Sequence, residues 1–343
     1  MALSCLALMM AGLTAYGLLA GADFGGGFWD LTAGGARRGG GVRGMIKRSM
    51  SPVWEANHVW LIFVLVIFWT AFPKAFGSVT STLYVPLFGA VVGIVLRGAA
   101  FALRGEAATI GETRAFGAVF ALSSLVTPFF MGAALGGIAS GRVPVGNAAG
   151  DPISSWVNPT SLLVGALAVA TGAYLSAVFL AGDSHRAELP DMVAAFRRRA
   201  FGAGAVAGLL ALGGLAVLNS DAPRLFDGLT SGAGLAAAIV SGLAGAATLA
   251  LLWLGRFFLA RFTAALAVVG VTAGWAFAQR PDLLPGALTL DQAAAGDATL
   301  SALLVAMAGG MVLLVPSLWL LYSLVLHGRL DQSSEPLDER FRP

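Results

Sequence analysis

Four side chains in this sequence are of types that hold or move charge, yet they stand where apolar residues are the rule: Asp23, Glu55, His58 and Arg97. Asp23 lies in "GADFGGGFWD", Glu55 and His58 in "SPVWEANHVWLIFVLVIFW", and Arg97 in "LYVPLFGAVVGIVLRGAAFALR". Glu55 and His58 are spaced i, i+3 and share a face if their segment is helical. A carboxylate can take up and release a proton, histidine changes charge near neutral pH, and a guanidinium stays charged. Such a set can relay protons, bind an ion or substrate, or pair internally.

What surrounds these residues decides among those chemistries. The chain has 343 residues, 57% hydrophobic and 11% charged, far from the roughly one quarter charged of soluble domains. It reads as an all-α polytopic membrane protein. Apolar runs near the ~20 residues that cross a bilayer fall at 2 to 22, 53 to 73, 81 to 103, 116 to 140, 157 to 182, 200 to 218, 234 to 254, 261 to 279 and 300 to 327. Long, non-alternating runs select helices over a barrel. Residues 1 to 327 are thus expected to form one transmembrane domain, and 328 to 343 a polar tail. The first run lacks a preceding basic region and a small-residue cleavage motif, so a retained span is expected.

Basic residues divide unevenly between alternate loops. Arg37, Arg38, Arg43, Lys47, Arg48, Arg104, Arg114, Arg186, Arg197, Arg198, Arg199, Arg256, Arg261, Arg329, Arg340 and Arg342 fall on one side; Lys74, Arg142, Arg224 and Arg280 fall on the other. The positive-inside rule makes the first side cytoplasmic, with the N-terminus outside and the C-terminus inside. This distribution also removes the nucleic-acid reading of the +3 net charge. Asp23 then ends the first span and Glu55 begins the second at similar depth near the cytoplasmic face. Arg97 lies about two turns before the end of the third. The glycines after Asp23 are expected to loosen the helix end.

Each residue also has a plainer reading. Glu55 near a helix start can complement the helix dipole, Arg97 can merely neutralise a carboxylate, and His58 can be a packing residue. Trp54 and Trp60 can be interface anchors. Gly204 with Gly208, and Ser241 with Gly245, have the spacing of close helix contacts. Cys5 is the only cysteine, which excludes an intrachain disulfide and a cysteine metal cluster. A haem needs an axial His, Met or Cys. His58 with Met131 or Met307 is the available pairing, but methionines among apolar neighbours are usually core. Neither a phosphate-binding turn nor a hydrolytic triad is present. A stand-alone secondary transporter using Asp23, Glu55 and Arg97 is a rival reading, although such sites usually lie at the midplane.

"GADFGGGFWDL", "SPVWEANHVWLIFVLVIFWTAFPKAF" and "LYVPLFGAVVGIVLRGAAFALR" resemble the opening helices of subunit II of the cytochrome bd-type quinol oxidases. "VTPFFMGAALGGIASGRVP", "NPTSLLVGALAVATGAYL" and "LLVPSLWLLYSLVLHGRL" continue the likeness more weakly. The resemblance implies two four-helix bundles plus one peripheral helix. It also implies a subunit of a terminal oxidase that passes quinol electrons to dioxygen, with haem b and haem d on a partner subunit I. By the same resemblance Asp23 and Glu55 match proton-conducting acids, Trp60 borders an oxygen path, and Arg97 is their basic partner. Further implied partners are a small single-helix third subunit and a structural quinone or lipid. Ala20 and Ala102 stand where some relatives carry acids, and His58 stands where Gln or Glu is expected; His58 is therefore a candidate relay.

Overall fold

A computed structural model describes residues 1–50, 54–104 and 109–326. The elements are α1 (Ala2–Leu31), α2 (Ala36–Met50), α3 (Trp54–Ala71), α4 (Pro73–Thr82), α5 (Tyr84–Arg104), α6 (Ile110–Ala139) and α7 (Pro159–Arg186). They continue as α8 (Pro190–Asp221), α9 (Pro223–Leu229), α10 (Gly232–Trp253), α11 (Phe257–Gln279), β1 (Asp282–Leu284), β2 (Leu288–Thr289), α12 (Leu290–Ala293) and α13 (Asp297–Leu326). Among the described residues eight helices are long and apolar enough to cross a membrane, and nine if α3 and α4, bent by 118° at their junction, count as one span. The expected tail, 328 to 343, lies outside the described residues.

α1, α3, α5 and α6 form one bundle; α7, α8, α10 and α11 form a second; α13 lies at the edge against α3. The bundles meet where α1 and α6 pack on α7. Glycines allow this. A Cβ on Gly25 would lie 1.9 Å from the Gly172 carbonyl oxygen, and one on Gly27 would lie 2.0 Å from Ser124 Oγ.

This corrects the expectation that the glycine run loosens the end of the first span. α1 continues unbroken to Leu31, because its glycines face neighbouring helices. Close packing offsets the ~1 kcal/mol by which each glycine disfavours a helix. The other small-residue pairs hold only in part. Gly204 meets Tyr174 and Leu249, and Ser241 meets Gly270, whereas a Cβ on Gly208 or Gly245 would find open space.

Two further departures come from elements that a search for long apolar runs passes over. The basic segment read as a loop is helix α2, whose Val42, Met45 and Ile46 are buried in the core containing Phe196. Charged interfacial helices have low mean hydropathy even when one face is fully packed. The second apolar run breaks at Phe72, which is wholly buried, and Pro73 starts α4 in a new direction. Ala71 O at the break accepts from Ala295 N at 2.8 Å, so its carbonyl is satisfied.

Candidate functional site

α1 and α5 face each other across the first bundle. Arg97 Nη1 donates to Asp23 Oδ2 at 2.5 Å and Nη2 to Asp23 Oδ1 at 2.9 Å and to Asp23 O at 3.1 Å. Its Nε donates to Ser124 Oγ at 2.8 Å, and that hydroxyl donates to Phe120 O at 2.6 Å. The guanidinium lies 4.8 Å from the Phe24 ring centroid and 4.6 Å from that of Phe120. Asp23 and Arg97 are 5% and 3% exposed. Such burial is tolerable because the fork geometry of Arg satisfies both carboxylate oxygens.

A second rung repeats the first at the end of the bundle. Asp30 and Arg104 follow Asp23 and Arg97 at the same seven-residue step, two helical turns along each helix. Arg104 Nη1 meets Asp30 Oδ2 at 2.9 Å, and Arg43 Nε of α2 meets Asp30 Oδ1 at 2.7 Å. The rungs step in the same direction, so α1 and α5 run parallel, as first and third spans must. Asp30 was missed from sequence because the first span was ended at residue 22. The matched spacing of Asp23 with Asp30 and Arg97 with Arg104 was the available signal.

Asp183 in α7 and Asp221 at the end of α8 likewise fall just beyond the apolar runs 157 to 182 and 200 to 218. Asp183 pairs with Arg186 and Arg261. Asp221 accepts from Arg142, from the Thr160 backbone N at 3.0 Å and from Thr160 Oγ1 at 2.5 Å, tying α8 to the start of α7.

On α3, Asn57 is buried and its Nδ2 donates to Leu19 O at 3.4 Å. The His58 ring lies 6.2 Å from that of Tyr16. Half-buried Trp60 packs on Tyr16, Ala20 and Phe24, and its Nε1 has no hydrogen-bond partner among the described residues. His58 and Trp60 therefore border the helix that carries Asp23. Glu55 is the second residue of α3, but its side chain, like that of Trp54, lies outside the described residues.

The second bundle holds a neutral counterpart of the charged rung. Gly21 to Gly172, Asp23 to Tyr174, and Arg97 to Thr248 are separated by the same number of residues. Tyr174 lies beside Thr248 without a hydrogen bond of good geometry. Thr248 Oγ1 donates to Thr263 Oγ1 at 2.8 Å, as Arg97 does to Ser124. One bundle thus buries an ion pair where the other buries hydroxyls.

Among the described residues, His58 with Met131 does not offer an axial pair for a haem. Tyr16 contacts both, its ring 6.2 Å from that of His58 and its hydroxyl 3.8 Å from the Met131 sulfur, so the space beside both is taken by a tyrosine. Two surface clefts, of about 210 and 270 Å³, are lined by neither His, Met nor Cys.

The fold and the charged rungs define a polytopic helical membrane protein with a buried ion-pair ladder in one of two related bundles. The family model described as "Cytochrome bd terminal oxidase subunit II" matches residues 1–325, and the chain belongs to that family. It is similar to the structure of bd oxidase from Geobacillus thermodenitrificans, with a TM-score of 0.76 and 28% identity over 95% of this chain and 98% of that one. It is 29% identical over 90 residues to cytochrome bd ubiquinol oxidase subunit 2 of Bacillus subtilis (strain 168), 26% of this chain and 27% of that protein. It is 23% identical over 218 residues to the putative cytochrome bd menaquinol oxidase subunit II of the same organism, 62% of this chain and 61% of that protein. The matches thus span about a quarter and three fifths of the length of these curated relatives. None of these similarities supports the transporter reading.

Proposed function

We propose that this chain is the non-haem subunit of a respiratory quinol:oxygen oxidoreductase in the cell membrane, inactive alone and required by a partner subunit I that holds haem b and haem d. The observation that carries this is the buried Asp23–Arg97 pair beside His58 and Trp60, in a chain of the subunit II family. Oxygen reduction consumes protons. Carboxylates near one membrane face, on helices whose basic loops mark that face as cytoplasmic, are placed to supply them. Glu55 and Asp23 carry protons inward, His58 relays them, Arg97 holds the charge of Asp23, and Trp60 walls an oxygen path. The N-terminus lies outside, and the tail 328 to 343 is cytoplasmic. The resemblance extends the assembly to a small single-helix third subunit and a structurally held quinone or lipid.

The test is a reduced-minus-oxidised visible spectrum of the chain purified gently from its native membrane, beside the chain expressed alone. Haem b and d bands that accompany a partner in the first sample and are absent from the second support the reading. No haem and no partner in either sample overturn it. Within the complex, Glu55→Gln is expected to slow quinol-dependent oxygen uptake while leaving the haem bands intact, and unchanged turnover removes Glu55 from the proton route.

A further inference from the structure

At the membrane face opposite the Asp30 rung, the ends of α6 and α11, the short α9 and the β1–β2 hairpin enclose a cleft of about 270 Å³. Its charged lining is Arg224, Asp227, Arg280 and Asp282. No ion pair joins these four among the described residues, whereas Arg142 on the same face is neutralised by Asp221. Two cations and two anions that share a cleft without cancelling present separated charges of both signs.

Arg224, Asp227 and Arg280 are exposed, but the turn beneath them is fixed. The guanidinium of Arg224 lies so close over Gly286 that a Cβ there would be 1.6 Å from Nη1, and Gly286 has a φ of +71°. Asp282 Oδ2 accepts from Gly286 N at 2.8 Å, fixing the same turn. Gln279 donates its Nε2 to Leu283 O at 2.7 Å. That bond leaves Gln279 Oε1 buried without a partner among the described residues. Ala139, Leu225, Ala278 and Pro285 supply an apolar lining.

From this arrangement we infer that the cleft is a binding site for one phospholipid with a phosphoethanolamine headgroup. The phosphate is held by Arg224 and Arg280. The primary ammonium, a donor of three N–H bonds, is held by Asp227 and Asp282. The position fits, because the ends of spanning helices lie at headgroup depth. The acceptor set gives selectivity. A choline group carries no N–H to offer the two aspartates, and a glycerol headgroup carries no positive charge to offer them.

The test uses the chain in the complex with which it purifies, stripped of lipid and titrated with dioleoyl phosphatidylethanolamine, phosphatidylcholine or phosphatidylglycerol while retained lipid is counted by native mass spectrometry. The unaltered chain is expected to retain one phosphatidylethanolamine in preference to the other two by about tenfold, equivalent to ~1.4 kcal/mol. The double variant R224Q/R280Q is expected to lose that lipid. The double variant D227N/D282N is expected to keep lipid but lose the preference. Unchanged thermal unfolding of the lipid-free variants verifies folding, and a single substitution, R280Q, replaces any variant that fails this control. Equal retention of all three lipids by all variants overturns the inference. Displacement of the lipid by equimolar soluble O-phosphoethanolamine would assign the site to a free phosphoester, and loss of the partner subunit from R224Q/R280Q with lipid unchanged would assign it to a protein contact; either overturns it.

Discussion

Asp23 and Arg97 form a doubly hydrogen-bonded ion pair, 2.5 and 2.9 Å, that joins the first and third spanning helices in the interior of a bundle. Removing either partner leaves an unpaired charge in hydrocarbon. Arg97→Gln is expected to destabilise the protein by about 3–5 kcal/mol, whereas Asp23→Asn with Arg97→Gln recovers most of that loss because no charge is stranded. Thermal unfolding in detergent of both single variants and the double variant gives the cycle. Additive losses would show that the pair is not coupled.

Gly25 and Gly17 lie on the same helix in opposite situations. A methyl at Gly25 meets the Gly172 carbonyl at 1.9 Å, while one at Gly17 meets nothing within 4 Å. Gly25→Ala is expected to cost at least ~1–3 kcal/mol through overpacking, and Gly17→Ala to gain up to ~1 kcal/mol in helix propensity. Comparison of Tm values checks both signs, and two changes of the same sign would contradict the packing argument.

Asp30 holds α2 onto the bundle through Arg43. The contact is partly open to solvent, so its worth is that of a screened pair, about 1 kcal/mol. Asp30→Asn is expected to raise hydrogen exchange across 36–50 roughly fivefold, the ratio that corresponds to 1 kcal/mol. Unchanged exchange there would mean that Val42, Met45 and Ile46 hold the helix alone.

Asp151 lies in the loop between α6 and α7, and its Oδ1 accepts from Ser154 N at 2.6 Å and Ile153 N at 2.9 Å. The Ser154 N–H first, then that of Ile153, hold this carboxyl below the usual aspartate range. A lowered folded-state pKa means that the contribution is fully present above about pH 4 and is lost as the pH falls through the folded value. Loop proteolysis is therefore expected to be flat from neutral pH down to about pH 4 and to rise below it, and Asp151→Ala is expected to remove that acid response.

Much of the fold was legible because a bilayer allows few solutions. Run length gave the spans, and the two-bundle arrangement followed from the family resemblance. Asp23 and Arg97 could be matched because alternate crossing puts them at one depth. Asp30 could not, since glycines were read by the rule for water-exposed helix ends, whereas Gly25 and Gly27 face other helices. α2 hid behind its charges and α4 behind its hydroxyl-rich composition, since both find their partners only in the folded molecule. Ser124 gave no signal: a serine in a span acquires meaning only when a guanidinium is found against it.

The Asp23–Arg97 rung also bears on how the chain enters the bilayer during synthesis. Asp23 emerges from the ribosome more than seventy residues ahead of its counter-charge, and α2, α3 and α4 must follow before α5 brings the guanidinium. Until then the early helices carry Asp23 without its counter-charge, whereas Asp30 can already meet Arg43 of α2. The charge balance of the first bundle is thus complete only once α5 has joined α1.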